Sequence, residues 1–531
     1  MKLPPGVSPR DFDAAVRRFQ SAVGPEWVFT SDEDVNLYRD AYTPFFGEEG
    51  EYIPSGGIGP NSVEQVQEIV KIANEFKIPL WPISTGRNLG YGGAAPRMSG
   101  TLVLDLKRMN RVLEVNDTLS YAIVEPGVSY FDFYRHLRDN KHKVWLDCPD
   151  PGWGSVIGNA LEHGVGHTPH RDHFDSHCGM ELVLASGEVM RTGMGALPNS
   201  PSWATYKYGF GPYISPIFGQ SNFGIVTKMG MWLMPEPEAA RNYLVAVPRQ
   251  ADLVPFVDTL ANLANRGILN SAWSIGSPIL SSQNPQIAEM VRGGAPAAEL
   301  ERAGLAANLG YWGTRLRFYG PPDIIDAEWK YIRERLSAAV AGATFRAGAS
   351  YTFPIDPDSV EEPADDLFAK AAIGIPTMSI FNMGGASRSQ GHIFFSPIIP
   401  MSGRELVKAQ GVFTQAYKDL GLRPPNVIGG WSWYKRNLVL LFNMPISKDS
   451  AANQKMRENY RALVKVAAAN GWGEYRTAPV FMDDIMNTFS FNNHALRRFH
   501  ETIKDAVDPN GILAPGKSGI WPTRYRGMRT S

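Results

Sequence analysis

The stretch ISTGRNLGYGGAAP, residues 83–96, is a glycine-rich loop that directly follows a predicted strand at Leu80–Ile83. Its glycines allow backbone N–H groups to turn toward an anion, and Arg87 adds a positive charge. The loop has neither the Gly-Lys-Ser/Thr of a Walker A motif nor the G-x-G-x-x-G of the Rossmann fingerprint. It therefore predicts a pyrophosphate-binding loop outside those two classes, and a tight connector without a ligand is the alternative.

Two more glycine-rich stretches follow in the same part of the chain. Residues 152–167 read GWGSVIGNALEHGVGH, and residues 219–230 read GQSNFGIVTKMG. Three loops that expose their backbone within one region suit a long ligand such as a dinucleotide. Around these loops, apolar residues alternate between helical and strand-like spacing up to about residue 235.

The helix signals in this region are serine caps that precede apolar stripes. Ser8 precedes a stripe from Phe12 to Val23, and Ser62-Val63-Glu64-Gln65 reads as a capping box. A further helix is predicted at residues 130–139. Short apolar runs predict strands at residues 101–106, 122–125, 181–192 (a hairpin) and 223–234.

The proline-rich stretch MPEPEA, residues 234–239, marks a predicted domain boundary. Beyond it, helices are predicted at residues 327–340, 403–420 and 452–469, and a strand at residues 438–442. We therefore expect helices that cover an antiparallel sheet. The chain has 531 residues, and one core rarely serves more than roughly 250–300 residues, so two domains are expected.

The composition is that of a globular protein, with 44% hydrophobic residues and a formal net charge of −1. No basic run predicts nucleic-acid binding, and no apolar run approaches the ~18 residues of a membrane span. The two cysteines, Cys148 and Cys178, are too few for a disulfide framework. Since the N-terminal sequence also lacks a signal peptide, we expect a cytoplasmic protein without nucleic-acid or membrane partners.

Five of the ten histidines fall within residues 162–179, which read EHGVGHTPHRDHFDSHCG. They are His163, His167, His170, His173 and His177. Zinc needs three or four ligands, often held as pairs on a helix or hairpin. Glycine and proline interrupt any helix between the first three histidines, so we predict that the chain has no metal site.

Several longer runs carry a family resemblance, including GRNLGYGGAAPR, LDCPDPGWGSVIGNALEHGVG, QSNFGIVTKMGMWLMP, GWGEYRT, MDDIMNTF and DPNGILAPGKSGIWP. Together they resemble the vanillyl-alcohol oxidase and p-cresol methylhydroxylase family of FAD enzymes, above all its vanillyl-alcohol oxidase and eugenol oxidase branch. The resemblance implies an α+β fold with two domains. The p-cresol methylhydroxylase-type FAD-binding domain would comprise residues 1–236 and 473–531, and an α+β cap domain of residues 237–472 would cover the flavin.

The resemblance also implies which residues contact FAD. His392, in SQGHIFFSPI, occupies the position at which the oxidase branch bonds the flavin covalently, although such a histidine alone is more typical of a core. The other implied FAD contacts are Ser84, Thr85, Gly86, Arg87, Asn88, Leu89, Pro149, Gly154, Ser155, Gly158, Asn159, Gly164, Gly166, Gly224, Ile225, Val226, Arg476 and Lys517. The expected cofactor is thus FAD, covalently bound through His392.

Four residues are implied to be catalytic. The family fold would bring Tyr91 together with Tyr475 and Arg476, and two hydroxyl donors with a guanidinium in a dry pocket favour the phenolate of a phenol. Asp150, in CPDPGWGS, matches the acidic residue beside flavin N5 and would act as a base. Taken singly, each tyrosine is typical of a core and the aspartate of a turn.

The implied reaction is hydride transfer from the benzylic carbon of a para-substituted phenol to flavin N5. The substrate would be a 4-alkylphenol, a 4-allylphenol or a 4-hydroxybenzylic alcohol, the intermediate a p-quinone methide, and the final acceptor O2, which yields H2O2. The alternative is a dehydrogenase or hydroxylase of a larger lignin-derived phenol, such as a lignan, that passes electrons to cytochrome c or a cupredoxin. The segment GALPNSPSWATYKYGFG lacks the octamer-forming insertion of vanillyl-alcohol oxidase, so a homodimer is expected.

The chain departs from its relatives within the histidine-rich stretch. Where the relatives carry R-G-V-G-Y-T-P-Y-G-D, this chain reads HGVGHTPHRD, which substitutes residues 163, 167, 170 and 171. The predicted substrate pocket comprises Val165, His167, Phe394 and Glu474. Histidine in place of tyrosine at position 167 predicts a roomier or more polar pocket than in the relatives.

Overall fold

The computed structural model describes residues 2–40, 43–362, 365–382 and 391–529. Helices and strands alternate in the N-terminal region, which ends at Pro235. Its helices are α1 (Pro9–Val23), α2 (Asp32–Leu37), α3 (Val63–Phe76), α4 (Tyr130–Asp139) and α5 (Val156–Leu161). Its strands are β1 (Val28–Phe29), β2 (Gly56–Ile58), β3 (Leu80–Ile83), β4 (Leu102–Asp105), β5 (Val112–Asn116), β6 (Tyr121–Val124), β7 (Val144–Trp145), β8 (His177–Val183), β9 (Val189–Arg191), β10 (Ile225–Trp232) and β11 (Met234–Pro235).

The predicted caps hold, with one correction. The Ser8 side chain accepts a hydrogen bond from the Asp11 backbone N–H and opens α1. Ser62 caps α3 in the same way, but the Gln65 side chain accepts from the Asn61 backbone N–H and does not close the predicted capping box. The short helix α2 was not predicted, although an S-x-x-D pattern of residues 31–34 marks its start.

The glycine-rich loop lies at the carboxyl end of a parallel strand. Strands β2, β4 and β3 run parallel, and β1 joins this sheet antiparallel at its edge. Since β3 leads directly into the loop, the loop occupies the edge at which sheets of this kind commonly bind ligands. A second sheet, ordered β5-β6-β10-β8-β9, is antiparallel throughout and contains the predicted hairpin of residues 181–192 as β8 and β9.

The central region begins with β12 and combines long helices with antiparallel sheets. Its helices are α6 (Leu253–Asn265), α7 (Pro285–Arg292), α8 (Ala297–Ala306), α9 (Pro322–Ala339), α10 (Gly403–Asp419) and α11 (Ser450–Ala469). Its strands are β12 (Ala239–Val247), β13 (Ser274–Ile275), β14 (Trp312–Gly320), β15 (Thr344–Thr352), β16 (Gly391–Phe395), β17 (Ile398–Pro400), β18 (Gly430–Trp431), β19 (Asn437–Val439) and β20 (Phe442–Ile446).

The predicted arrangement of helices over antiparallel sheet is present in this region. The sheet β14-β12-β15 is antiparallel, and α9 packs on β14. The single strand predicted at residues 438–442 is wrong, because this run ends β19 and begins β20. Between β19 and β20, the Leu440 backbone N–H donates to the carbonyl oxygen of Pro397, 3.0 Å away. Leu440 therefore takes no part in the pairing of β20 with β16. The helix predicted from residue 327 begins earlier, at Pro322.

The C-terminal segment returns to the N-terminal region and contains α12 (Met482–Thr488) and α13 (Phe491–Val507). Leu513 forms a parallel bridge with Leu80 of β3 and thereby extends the parallel sheet. Lys504 is fully buried, and its ammonium donates to the carbonyl oxygens of Asn222 and Leu513, each 2.6 Å away. Its charge is balanced by Asp508, whose carboxylate lies 2.7 Å away.

Apolar cores lie on both sides of the predicted boundary at residues 234–239. One core joins α1 and α3 to the parallel sheet, and another covers the antiparallel sheet. The core of the central region starts at Ala239 and continues to Phe481, beyond the predicted limit at residue 472. The mixture of helices with mainly antiparallel sheets confirms the α+β class, while the domain bounds stay a prediction. Among the described residues, no helix is both long and apolar enough to cross a bilayer.

Candidate active site

A cavity of about 540 Å³ is lined by all three parts of the chain. The predicted cofactor residues on its walls are Ser84, Gly86, Arg87, Asn88, Leu89, Pro149, Gly154, Ser155, Gly158, Asn159, Gly224, Ile225, Val226, His392, Arg476 and Lys517. The predicted catalytic residues Tyr91, Asp150 and Tyr475 and the predicted pocket residues Val165, His167 and Phe394 line the same cavity. The fold therefore brings most of the predicted site residues together.

Two predicted cofactor glycines lie behind the wall and not on it. A Cβ atom on Gly164 would lie 1.9 Å from Oδ1 of Asn159, and one on Gly166 would lie 2.1 Å from Oδ2 of Asp147. Each glycine therefore allows a polar side chain to pack against its backbone. Because Asn159 lines the cavity, the pair supports the site through packing, and a direct contact with the cofactor stays a prediction.

Thr85 and Glu474 also lie outside the cavity lining. Thr85 belongs to the glycine-rich loop and is buried. One carboxylate oxygen of Glu474 accepts a hydrogen bond from the Ser396 backbone N–H, and burial raises the pKa of Glu474 well above its usual range. Glu474 was predicted as a pocket residue; it lies outside the lining of this cavity, where it holds Ser396, the residue that follows β16.

The cavity has the features that a dinucleotide requires. A Cβ atom on Gly158 would lie 2.2 Å from Oγ of Ser84, so α5 and the glycine-rich loop approach each other closely. Gly86 has φ +66°, a left-handed conformation that favours glycine. Three cationic residues, Arg87, Arg476 and Lys517, lie on the wall. A cavity with exposed backbone edges and cationic side chains fits FAD.

Strand β16 runs along the glycine-rich loop and carries two cavity residues on one face. The Phe394 backbone N–H donates to the carbonyl oxygen of Gly90, 2.8 Å away. His392 lies two residues earlier, with its ring centroid 4.7 Å from that of Phe394. Burial lowers the pKa of His392. Its imidazole is therefore neutral at physiological pH.

Tyr91, Tyr475 and Arg476 form a buried cluster, here called the tyrosine–arginine trio. The two phenol rings lie edge to face with centroids 5.8 Å apart. The guanidinium carbon of Arg476 lies 4.1 Å from the ring centroid of Tyr91 and 5.0 Å from that of Tyr475. The Tyr91 hydroxyl shares a hydrogen bond with Oγ of Ser396, 2.7 Å away. The structure thus brings together three residues that the sequence places in two distant segments.

The trio presents hydrogen-bond donors and a positive charge to the cavity. Burial raises the pKa of Tyr91 well above its ordinary value and also raises the pKa of Tyr475. Both hydroxyls therefore stay protonated and can donate. The guanidinium of Arg476 is permanently charged. An oxyanion bound here would meet two hydroxyl donors and a cation away from bulk water, which is the environment that a phenolate requires.

Asp150 occupies another part of the cavity wall. The Ile380 backbone N–H donates to its Oδ2, 3.0 Å away, while its buried Oδ1 has no hydrogen-bond partner among the described residues. Burial raises the pKa of Asp150 to about 7. The N–H of Ile380 opposes this shift and the charge of Glu362 adds to it. A carboxyl group with a free oxygen and a pKa near neutrality can take up and release a proton.

The histidine-rich stretch is dispersed into separate environments. His163 and His177 both contact the ring of Phe174, with centroids 4.9 Å and 4.4 Å from it. His173 lies with its Nε2 3.1 Å from the buried carboxylate of Asp147. His167 alone of the five lines the main cavity. Among the residues that the structure describes, no three His, Cys, Asp or Glu side chains form a possible metal site.

Seven aromatic residues on the cavity walls were not predicted as site residues. They are Trp81, Trp153, Phe218, Phe368, Phe381, Trp431 and Trp433. Singly, each resembles an ordinary core aromatic. The run GWSWY, residues 430–434, could have predicted two of them, because Trp431 and Trp433 are spaced as on one face of a strand.

Comparisons with known proteins agree with this site. A family profile described as "FAD binding domain" matches residues 54–193. The chain is 31% identical over 530 residues to the 4-cresol dehydrogenase [hydroxylating] flavoprotein subunit of Pseudomonas putida, covering 98% of this chain and 97% of that protein. Among solved structures, 4-ethylphenol oxidase from Gulosibacter chungangensis in complex with isoeugenol is 37% identical with a TM-score of 0.85, covering 99% and 100% of the two chains. The structure of p-cresol methylhydroxylase with substrate bound is 31% identical with a TM-score of 0.84, covering 98% and 99%.

Proposed function

Because the chain belongs to the p-cresol methylhydroxylase-type family of FAD-dependent oxidoreductases, we propose that it oxidises para-substituted phenols at the benzylic carbon, with bound FAD as the hydride acceptor. Membership of the family confirms the predicted resemblance, the FAD-binding α+β fold, the cofactor FAD and the oxidoreductase class. The observation that carries the proposal is the tyrosine–arginine trio, which lies buried in the same cavity as the cofactor residues.

The trio binds the substrate through its phenolic oxygen. The hydroxyls of Tyr91 and Tyr475 donate hydrogen bonds to this oxygen, and Arg476 stabilises its negative charge. A phenolate directs electron density toward its para carbon, which lowers the barrier to hydride loss from the attached benzylic carbon. The substrate then becomes a p-quinone methide. The proposed substrates are 4-alkylphenols, 4-allylphenols and 4-hydroxybenzylic alcohols.

Asp150 acts as the base in the next step. Water adds to the benzylic carbon of the quinone methide and loses a proton, which the free carboxylate oxygen of Asp150 accepts. The other oxygen of Asp150 is held by the Ile380 backbone N–H, so the free oxygen keeps a fixed direction. A benzylic alcohol needs no such hydration, because hydride loss and deprotonation yield the aldehyde directly.

His392 would hold the cofactor through a covalent bond. Its support is the position of a neutral imidazole on the cavity wall, on a strand that runs along the glycine-rich loop. A tether prevents dissociation of FAD and changes the electronic properties of the flavin. Denaturing electrophoresis tests this, because a covalent flavin leaves a fluorescent protein band. Complete release of the flavin on acid precipitation would contradict it.

For the electron acceptor we propose O2, which leaves as H2O2. The second candidate is a redox protein such as a cytochrome c or a cupredoxin, and it is favoured by the similarity to a relative that is a flavoprotein subunit. Turnover in air without an added acceptor distinguishes them. Stoichiometric peroxide supports O2, and reduced flavin that persists in air supports a protein acceptor. A homodimer and a cytoplasmic location remain predictions.

One experiment tests the proposed function itself. The holoenzyme is mixed anaerobically with 4-ethylphenol, and the visible absorbance of its flavin is followed. We expect rapid bleaching that depends on the phenol concentration, and no bleaching with the 4-ethylphenyl methyl ether, which cannot form a phenolate. Equal bleaching by the phenol and its ether would refute the role of the trio.

A further inference from the structure

Aromatic side chains form a continuous wall along the cavity that starts at the tyrosine–arginine trio. Trp433 packs in one apolar cluster with Tyr91 and Tyr475. The indole of Trp431 stacks on that of Trp433, with centroids 4.9 Å apart and planes 15° apart. The wall therefore extends from the trio along β18 and the residues that follow it.

The wall continues onto a different segment and ends at His167. The ring of Phe368 meets Trp431 edge to face, with centroids 5.6 Å apart. The imidazole of His167 lies against the ring of Phe368, with centroids 4.6 Å apart. Phe368, Trp431 and Trp433 keep part of their surface exposed while they line the cavity. Their uncovered surface is therefore available to a ligand.

Ion pairs hold the segment that carries Phe368. The carboxylate of Asp366 is buried, with Arg317 2.6 Å and Arg315 3.3 Å away. Both arginines project from β14 of the central sheet. Because Asp366 lies two residues before Phe368, the pairs fix the ring against His167. This part of the wall is a preformed surface, as a binding site for a rigid ligand group requires.

His167 gives the far end of the wall a polar group. Its backbone N–H donates to Oδ1 of Asp147, 3.1 Å away, which fixes the residue. Neither ring nitrogen hydrogen-bonds to a residue that the structure describes. Burial lowers the pKa of His167 to about 3, so the ring is neutral and offers one donor and one acceptor. A ligand oxygen at this end can satisfy the free N–H.

We infer that the cavity selects para-substituted phenols whose substituent ends in a second aromatic ring that bears an oxygen atom. The phenol lies in the trio, the second ring lies on Phe368 and Trp431, and its oxygen accepts a hydrogen bond from His167. This inference rests on the proposed function and adds a site for the distal half of the substrate.

Three phenols of graded structure test the inference: 4-ethylphenol, 4-(2-phenylethyl)phenol and 4-[2-(4-methoxyphenyl)ethyl]phenol. The dissociation constant of each is read from the concentration dependence of anaerobic flavin reduction. We expect the second ring to lower this constant roughly tenfold relative to 4-ethylphenol. The methoxy oxygen should lower it by a further factor of about 2 to 10.

Two variants assign these gains to the wall. Phe368→Ala should abolish most of the gain from the second ring, and His167→Phe should abolish only the gain from the methoxy oxygen. Trp329→Leu is the control, because Trp329 stacks on Tyr243 within the same central region and does not line the cavity. Its ratios of dissociation constants should equal those of the wild type, which excludes a general loosening of the region.

The outcomes separate this inference from the proposed function. If 4-ethylphenol reduces the flavin but the two-ring phenols bind no more tightly, the inference is wrong and the proposed function stands. The inference is equally wrong if Phe368→Ala and His167→Phe leave both ratios at their wild-type values. If none of the three phenols reduces the flavin, the proposed function itself fails.

Discussion

The pH dependence of catalysis should report the raised pKa of Asp150. Burial raises this pKa to about 7. Only the carboxylate form can accept a proton, so the base is lost as the pH falls through the folded-state pKa. We expect the steady-state rate with 4-ethylphenol to fall on the acid side of neutrality, although an ordinary aspartate would stay ionised there.

The size of the effect follows from the pKa. With a pKa of about 7, roughly a tenth of the enzyme carries the carboxylate at pH 6 and roughly nine tenths at pH 8. The rate at pH 6 should therefore be about a tenth of its plateau value. With the ordinary aspartate value of 3.8, more than about 99% would be ionised at both pH values and the rate would not change.

The assay measures kcat of the holoenzyme with saturating 4-ethylphenol at constant ionic strength. The pH runs from about 5.5 to about 9, which covers roughly two pH units on either side of the expected Asp150 titration. Asp150→Asn should lower the rate at pH 8 by about 100-fold or more and remove the step near neutrality. Glu362→Gln is the matched control. It removes a charge that raises the pKa of Asp150 but keeps an acceptor for the Thr377 hydroxyl, 2.9 Å from Glu362.

In Glu362→Gln, the fall in kcat should occur at a lower pH than in the wild type, and it should still be present. Two results would refute the reasoning. One is a wild-type profile that is flat from pH 6 to 8, which would place the pKa of Asp150 elsewhere. The other is an Asp150→Asn variant that keeps the wild-type step, which would assign the titration to a different group.

Three further predictions concern the trio, the tether and the packing behind the wall. Tyr475→Phe removes one donor to the phenolic oxygen and should slow anaerobic flavin reduction roughly 100-fold; a change below threefold would contradict this role. His392→Ala should yield a protein whose flavin is released by acid, and a fluorescent band after denaturing electrophoresis would contradict the tether. Gly166→Ala places a methyl group 2.1 Å from the buried Asp147 carboxylate and should cost about 2–4 kcal/mol in the free energy of unfolding, measured by chemical denaturation. Gly411→Ala is its control, since a Cβ there meets nothing within 4 Å and a helical alanine should be neutral or slightly stabilising.

Local signals predicted the fold of the N-terminal region well. Helix α4 was predicted with its observed bounds, and the structure shows a full capping box of Ser129 and Asp132 at its start. The glycine-rich loop was placed correctly after β3, since the strand is a short apolar run bounded by turn residues. The failure at residues 438–442 has a tertiary cause. No turn residue separates β19 from β20. The run divides where Leu440 donates to Pro397, because β19 pairs with β17 and β20 pairs with β16.

The site was predictable only in part. Family motifs identified the trio, although the trio belongs to segments that only the tertiary structure unites. They also assigned Gly164 and Gly166 to the cofactor. The structure shows that each glycine accommodates a neighbouring side chain, a role that the sequence alone does not reveal. The aromatic wall was missed, since Phe368 and Trp431 lie in unrelated segments and neither carries a motif.

The return of the C-terminal segment to β3 determines when the cofactor can be acquired. Lys77 bonds to Asn510, 433 residues further along the chain, close to the bridge between Leu80 and Leu513. A ribosome that adds roughly 5–20 residues per second needs about 20 to 90 seconds to cover that distance. Arg476 is added only near the end of this interval and Lys517 after it, so the nascent chain lacks part of the cavity lining for most of this time. The complete cavity that fits FAD therefore exists only once nearly the whole chain has been synthesised.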